Sequence, residues 1–397
     1  MNSRGRLRVA FVVQRCGLEV IGGAESLCLQ VAKHLGELAD IEVLTTCAID
    51  YQTWRNEYPE GYATVDGVRV RRFRVDRERH MASFNRLSRE LAFDPPSATL
   101  DAQTEWMRRQ GPISSELFAH LSEYESAYDL IVFFGYLYAT TYFALPRVAE
   151  RSVLMPFAHD EWPIRLSMWD DVFAAPRAIL YSTLEEREFV RKRFSSLPGR
   201  GPIIGTGISA PPDRNPERFR KAFNIDEPFL LYLGRIEPSK GVNVLFEDFV
   251  RYRSTKKDPF KLVLVGRVHS AVAKHPDIVA VGQLDERTKW DAIEACEAMV
   301  VPSQYESLSL ALLEGWACAK PALVNARSKV LVGQCRRARG GVWYDSYEEF
   351  AVALDLLDKP TRATLGRQGQ EHVSLTYNWN QTVRGFGDVF ESIVGSA

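Results

Sequence analysis

Two series of short apolar segments, spaced by amphipathic stretches and separated by one polar linker, constrain this chain more than any other feature. In the first half the strand candidates are residues 7–13, 41–44, 68–73, 130–134, 153–157 and 178–181. In the second they are residues 229–233, 262–265, 278–281, 298–301, 322–324 and 341–343. Short apolar runs alternating with helical periodicity predict parallel α/β sheets, because parallel neighbours need a crossover connection. The stretch Gly205-Thr-Gly-Ile-Ser-Ala-Pro-Pro-Asp-Arg-Asn-Pro216 between the halves is dense in turn formers. A chain of 397 residues also exceeds one ordinary hydrophobic core. Two Rossmann-like domains of similar size are therefore expected.

Local signals add detail. A helix should open at Gly22-Gly23 and bury Leu27, Val31 and Leu35 at helical spacing. Ser182-Thr-Leu-Glu185 and Thr183-Leu-Glu-Glu186 both read as capping boxes, so another helix starts there. Residues 76–127 fit the alternation least. Met81, Phe84, Leu87 and Leu91 form one helical stripe stopped by Pro95-Pro96, and Trp106 and Phe118 mark a second helical piece packed nearby. This region reads equally as an acceptor-side insertion or as plain packing helices.

The formal charge is −1 with acids and bases mixed throughout, which gives no reason to expect nucleic acid. Cys16, Cys28, Cys47, Cys296, Cys318 and Cys335 form no Cys-x-x-Cys pair, so buried free thiols are expected rather than disulfides or zinc. The start, Met1-Asn-Ser-Arg-Gly-Arg6, lacks an apolar signal core, and the apolar run 130–145 is too short to span a bilayer. A cytoplasmic protein is expected. The basic clusters Arg71-Arg72-Phe73-Arg74 and Arg191-Lys192-Arg193 read as solvated faces, with docking of an anionic acceptor or peripheral membrane contact as the alternative.

The chemistry concentrates in two C-terminal segments. Phe229-Leu-Leu-Tyr-Leu-Gly-Arg-Ile-Glu-Pro-Ser-Lys-Gly241 runs from an apolar strand into a turn carrying Arg235 and Lys240. Two cations at a strand end suit a diphosphate, Arg through forked hydrogen bonds and Lys as a point charge. Glu306-Ser-Leu-Ser-Leu-Ala-Leu-Leu-Glu314 follows the strand 298–301 and the turn Pro302-Ser303. If residues 307–316 are helical, both acids share a face and Leu308, Leu310, Leu312 and Leu313 cover the buried side.

Together these segments strongly resemble the retaining nucleotide-sugar glycosyltransferases of family four, which carry a Gly-Arg…Lys-Gly turn and two Glu separated by seven residues. Gly22-Gly23-Ala24-Glu25 is similar to that family's Gly-Gly loop, and His159-Asp160 to its mid-chain His-Asp. The resemblance implies an α/β fold of two facing Rossmann-like domains (GT-B) with a C-terminal helix crossing back to the first domain. It divides the chain into an acceptor domain over 1–207, a donor domain over 208–376 and a crossover helix over 377–397, with residues 380–394 as its body. It implies catalytic roles for His159, Arg235, Lys240 and Glu306. Donor contacts fall on Gly22, Gly23, Gly234, Arg235, Lys240, Glu306, Ser307, Leu308, Ser309, Leu310 and Glu314, and an acceptor-side role on Asp160. Glu306 would meet sugar hydroxyls and Glu314 the ribose, since carboxylates accept paired hydrogen bonds from vicinal diols.

The implied reaction moves a hexose-type sugar from UDP or GDP to an acceptor hydroxyl with an α-linkage. Its donor is a co-substrate, with no permanently bound cofactor. The resemblance leaves the acceptor open among a glycan, a lipid-linked intermediate and a small molecule. No His-x-x-x-His or Asp-x-Asp pair points to a metal. Gly17-Leu-Glu-Val-Ile-Gly22-Gly23 does not read Gly-x-Gly-x-x-Gly, which weighs against a dinucleotide site. The chain departs from its family at Ser307, Leu308 and Ser309, where glycines flank an aromatic, and at Ala319-Lys320-Pro321, where Gly-x-Pro is usual. A nucleotide-sugar 2-epimerase of the same architecture and a non-catalytic sugar-nucleotide-binding protein are the rival readings.

Overall fold

The computed structural model describes residues 6–20, 22–199, 201–256 and 260–395. The chain divides into two compact units, Met1–Thr206 with Thr382–Ala397, and Gly207–Gln381.

The first unit holds a seven-stranded sheet in the order β3-β4-β2-β1-β5-β6-β7. Its strands are β1 (Leu7–Val12), β2 (Ala39–Thr46), β3 (Gly61–Val65), β4 (Val68–Phe73), β5 (Leu130–Phe134), β6 (Ser152–Met155) and β7 (Ala178–Ile179). All pairings are parallel except β3 with β4. The central strand β5, Leu-Ile-Val-Phe-Phe, is buried at every position, as a parallel strand covered on both faces must be. β3 alternates exposed and covered residues and is missing from the sequence expectation. Its signal was the Asp66-Gly67 pair. Both residues have positive φ (47° and 81°), the conformation a two-residue hairpin turn demands. Two strands stop two residues earlier than expected. β6 ends at Met155, before Pro156 and a Phe157 with φ 50°, and β7 is only two residues long.

Residues 76–127 contain three helices rather than two, Met81–Phe93, Leu100–Gln110 and Ser115–Glu123. The stripe expected on the first meets the core through Leu91, Phe84 and Leu87. Phe84 stacks on Trp106 with ring centroids 6.0 Å apart, and the Trp106 indole N–H donates to Ser88 Oγ. The helix Gly23–Leu35 buries Leu27, Val31 and Leu35.

The second unit holds six parallel strands in the order β10-β9-β8-β11-β12-β13. They are β8 (Phe229–Leu233), β9 (Lys261–Val265), β10 (Ile278–Gly282), β11 (Ala298–Val301), β12 (Ala322–Asn325) and β13 (Gly341–Tyr344). Leu231, Val263, Met299 and Val324 pack one face, whereas Leu230, Leu262, Val300 and Leu323 pack the other. This is the period-two alternation of a sheet covered by helices on both sides.

The last helix runs Trp379–Gly395, and from Thr382 onward it belongs to the first unit. There Phe386 and Phe390 are fully buried, and Gly387 lies so close to Leu38 that an added Cβ would sit 3.2 Å from its Cδ2. All six cysteines are buried and unpaired. Among the described residues, no helix is long and apolar enough to cross a membrane.

Candidate functional site

In the second unit the chain leaves β8 toward β9 and β10, then returns to the other side of β8 to form β11. Connections therefore diverge at the carboxyl ends of β8 and β11, the crevice where open α/β sheets receive ligands. Both segments singled out in the sequence lie there.

β8 ends at Leu233, and Gly234 continues with φ +148°, its N–H donating to Val265 O. Gly266, at the end of β9, packs on this turn. A Cβ built on Gly266 would meet Gly234 O at 2.0 Å, and its own φ is +142°. Only glycine permits both the backbone angle and the approach. The Tyr232 hydroxyl donates to Arg235 O at 2.6 Å. Burial, and then the charges of Glu306 and Glu237, hold that phenol well above its ordinary range. Arg235 pairs with Glu237 at 3.1 Å. Lys240 closes a short 3₁₀ turn, and Gly241 (φ +77°) caps the helix Val242–Thr255. A Cβ on Gly241 would lie 2.3 Å from Pro302 O, so the Lys240 turn rests directly on the segment that follows β11.

That segment completes the cluster. Lys240 Nζ donates to Glu306 Oε1 at 3.0 Å, joining residues 66 positions apart. Asn325 Nδ2 donates to Pro302 O at 2.8 Å, and Gln334 Nε2 donates to Leu308 O. The helix expected over 307–316 begins only at Leu310 and runs to Ala317. Glu306 therefore precedes it, and Glu306 and Glu314 do not share a helix face. The reason is Ser309, whose φ of 71° cannot belong to a right-handed helix. Leu308, Leu312 and Leu313 are buried as expected, whereas Leu310 is half-buried. Ser309 and Ala319 (φ 54°) stand where the family resemblance leads one to expect glycine, and both keep a left-handed backbone.

Glu314 faces inward from the helix and pairs with Lys289 at 2.7 Å. Lys289 also meets Glu286 at 2.9 Å. Burial opposes the charged lysine, but the two carboxylates outweigh it and hold the ammonium above its usual range. Lys289, Gly266 and Gln334 had not been singled out from sequence. Gly266 alone left a signal, as a glycine ending an apolar strand.

In the first unit, His159 follows β6 and its Nδ1 lies 3.4 Å from Glu161 Oε1. Asp160 instead pairs with the exposed Arg165 at 3.1 Å. The carboxylate beside the imidazole is thus Glu161 rather than Asp160. Glu161 also meets the fully buried Tyr136, whose phenol is raised first by burial and then by this carboxylate. Gly22 caps the helix Gly23–Leu35 without positive φ. Its lack of a side chain matters because Glu25 folds back over it, with Oε2 2.0 Å from where a Cβ would be. Glu25 is buried rather than on the helix surface. It pairs with buried Arg15, which also donates to Ile49 O at 2.7 Å. Among the described residues, no three His, Cys, Asp or Glu side chains gather to hold a metal ion.

Residues 213–372, which carry the Arg235, Lys240, Glu306 and Glu314 cluster, match the family described as Glycosyl transferases group 1. Over this stretch, less than half of the chain, the sequence is similar to that family. A D-inositol 3-phosphate glycosyltransferase of Acidothermus cellulolyticus is 27% identical over 245 residues, covering 56% of this chain and 54% of the relative. One from Catenulispora acidiphila is 28% identical over 244 residues, with 55% and 56% covered. The chain thus spans about half the length of the curated relatives it matches. Sucrose-phosphate synthase from Thermosynechococcus elongatus superimposes with a TM-score of 0.73 at 16% identity, covering 99% of this chain and all of that one. Anabaena HepE in complex with UDP-glucose gives 0.68 at 12% identity, covering 97% and 100%. These two likenesses concern the fold, which extends over the whole chain.

Proposed function

We propose that this chain is a group 1 glycosyltransferase that moves a hexose-type sugar from UDP or GDP to an acceptor hydroxyl, with retention and without a metal. The observation that carries the reading is the Lys240–Glu306 ion pair at the switch point of the second unit, with Arg235 on the turn that carries Lys240 and Glu314 on the helix that follows Glu306. Breaking the bond between a sugar and a diphosphate builds negative charge on the departing phosphate. Preorganised cations at that position lower the barrier. Lys240 can exchange Glu306 for a phosphate oxygen while staying in the cluster. Glu306 then becomes available to the sugar hydroxyls, and Glu314 to the ribose. His159, Asp160, Gly22 and Gly23 are the first unit's contribution to the same reading. The names of the relatives make D-inositol 3-phosphate the first acceptor to try, and the HepE complex makes UDP-glucose the first donor. A cytoplasmic enzyme with peripheral membrane contact through its arginine-rich first unit fits this proposal.

The test is thermal stabilisation by UDP, GDP, ADP, NAD and the matching sugar conjugates with EDTA present, because a ligand of the native state raises the melting temperature by mass action. A shift with one nucleoside diphosphate is expected and names the base. A shift with NAD alone would refute the reading.

A further inference from the structure

The proposed reaction leaves the buried carboxylate of Glu186 unused. Glu186 is 1% exposed and sits in the first turn of the helix Leu184–Arg193. Its backbone N–H donates to Thr183 Oγ1 at 3.2 Å, and its Oε2 accepts from Ser182 N–H at 2.6 Å. Those two bonds are an ordinary helix cap. The third is not. Oε1 accepts from Ala158 N–H at 2.7 Å, and Ala158 lies 28 residues earlier in the turn that carries His159. A cap facing solvent would avoid the desolvation cost of full burial. Here the burial places one carboxylate between two segments that no strand pairing joins at this point, because β6 has ended at Met155.

We propose that Glu186 is a positioning residue for His159: its carboxylate ties the imidazole-bearing turn to the helix Leu184–Arg193, and only the ionised form holds both backbone amides. The consequence for turnover rests on the transferase reading; the tie itself does not. A carboxylate offers acceptors on both oxygens, whereas the acid turns one of them into a donor. Burial raises the Glu186 pKa to about 7, against the opposing hydrogen bonds from Ser182, Ala158 and Thr183. The charged and titratable groups in electrostatic reach are the Tyr181 phenol, two residues past β7, which feels the Glu186 charge, and Arg187 and Arg191 on the helix, which act on that same phenol. Burial and the Glu186 charge together push the Tyr181 phenol up to about 12.

The experiment uses the full chain with nitrogen-15 alanine. In the wild type, the Ala158 amide should shift with a midpoint near neutral pH. In Glu186→Gln, which mimics the protonated carboxyl, that titration should vanish and the His159 imidazole resonance should move. A wild-type amide that stays flat from about pH 5.5 to 8.5 overturns the claim about ionisation, and this arm needs no variant to fold. UDP release from UDP-glucose supplies the functional arm. Glu186→Gln should turn over about tenfold slower or worse, with KM little changed and the acidic limb of the profile gone. Wild-type turnover in Glu186→Gln would reduce Glu186 to a helix cap and overturn the proposal. A wild type that releases nucleotide from no sugar conjugate would instead refute the transferase reading. The tie would still stand or fall on whether the His159 resonance responds to the substitution.

Discussion

Replacing Gly266 by alanine should displace the Gly234–Arg235 turn by pushing on the backbone of Gly234, while every proposed donor-contact side chain stays unchanged. The new Cβ would lie 2.0 Å from Gly234 O, and contacts under 3.0 Å are essentially never tolerated, so one of the two backbones must retreat by about 1 Å. A non-glycine residue forced to φ +142° adds strain of about 1–3 kcal/mol, and overpacking against a backbone carbonyl adds about 1–3 more. The expected destabilisation is about 2–6 kcal/mol, which for a unit of this size lowers the melting temperature by about 4–24 °C. A 1 Å displacement in a positioning segment can cost about 100-fold in function. Calorimetric titration with the nucleoside diphosphate that stabilises the wild type should therefore show a large loss of affinity, even well below the melting temperature. Gly282→Ala is the control. Its φ is +81° but nothing lies within 4 Å of the added Cβ, so only a backbone cost of about 1–2 kcal/mol is expected, with affinity preserved. If Gly266→Ala bound nucleotide like the wild type and melted like the control, the proposed dependence of Arg235 on this packing would be wrong.

Arg235→Ala and Glu306→Ala should each reduce turnover by about 100-fold or more while the fold still melts cooperatively, and full activity in either variant contradicts the site assignment. Lys289→Met removes the partner of Glu314 and should cost about 1–3 kcal/mol in denaturant titrations, less than a fully buried pair because both groups keep some solvent contact. Weaker nucleotide binding should accompany it; unchanged affinity would remove Glu314 from the ribose site. Arg15→Met strands the buried Glu25 carboxylate and should destabilise the first unit by about 3–5 kcal/mol, whereas Arg15→Met with Glu25→Gln should recover part of that loss. For Glu186, the pKa rises from 4.5 to about 7 on folding, so the folded state binds the proton more tightly. Its stabilising contribution is complete below the unfolded value and is lost as pH climbs to about 7. Across that window the wild type should lose about 3 kcal/mol relative to Glu186→Gln, measured by urea unfolding at both ends. A constant difference between the two proteins would show that the carboxyl does not titrate with folding.

The alternation of apolar runs with helical periodicity predicted both sheets, because strand burial on two faces leaves a mark in every residue of β5 and β11. All six strands of the second unit were legible in this way. β3 was not, since an exposed edge strand has little apolar pattern and was betrayed only by Asp66-Gly67. The residues Arg235, Lys240, Glu306 and Glu314 could be named because their spacing within each segment is local. Their ion pairs could not, since the Lys240–Glu306 contact spans 66 positions and depends on where two loops leave a sheet.

The same division holds for the side chains that support the site. One-dimensional pattern reveals periodicity, turn chemistry and short motifs, which depend on neighbours within a few residues. It cannot reveal that Gly266 must lack a side chain because Gly234 O occupies that space, or that Lys289 reaches Glu314 from another helix. Nor could it show that Glu186, visible as a cap, spends its second oxygen on the turn bearing His159. Sequence determined which elements form and which charged groups stand at their ends. Tertiary structure alone decided the partner of each charge, because strand order sets which carboxyl ends become neighbours.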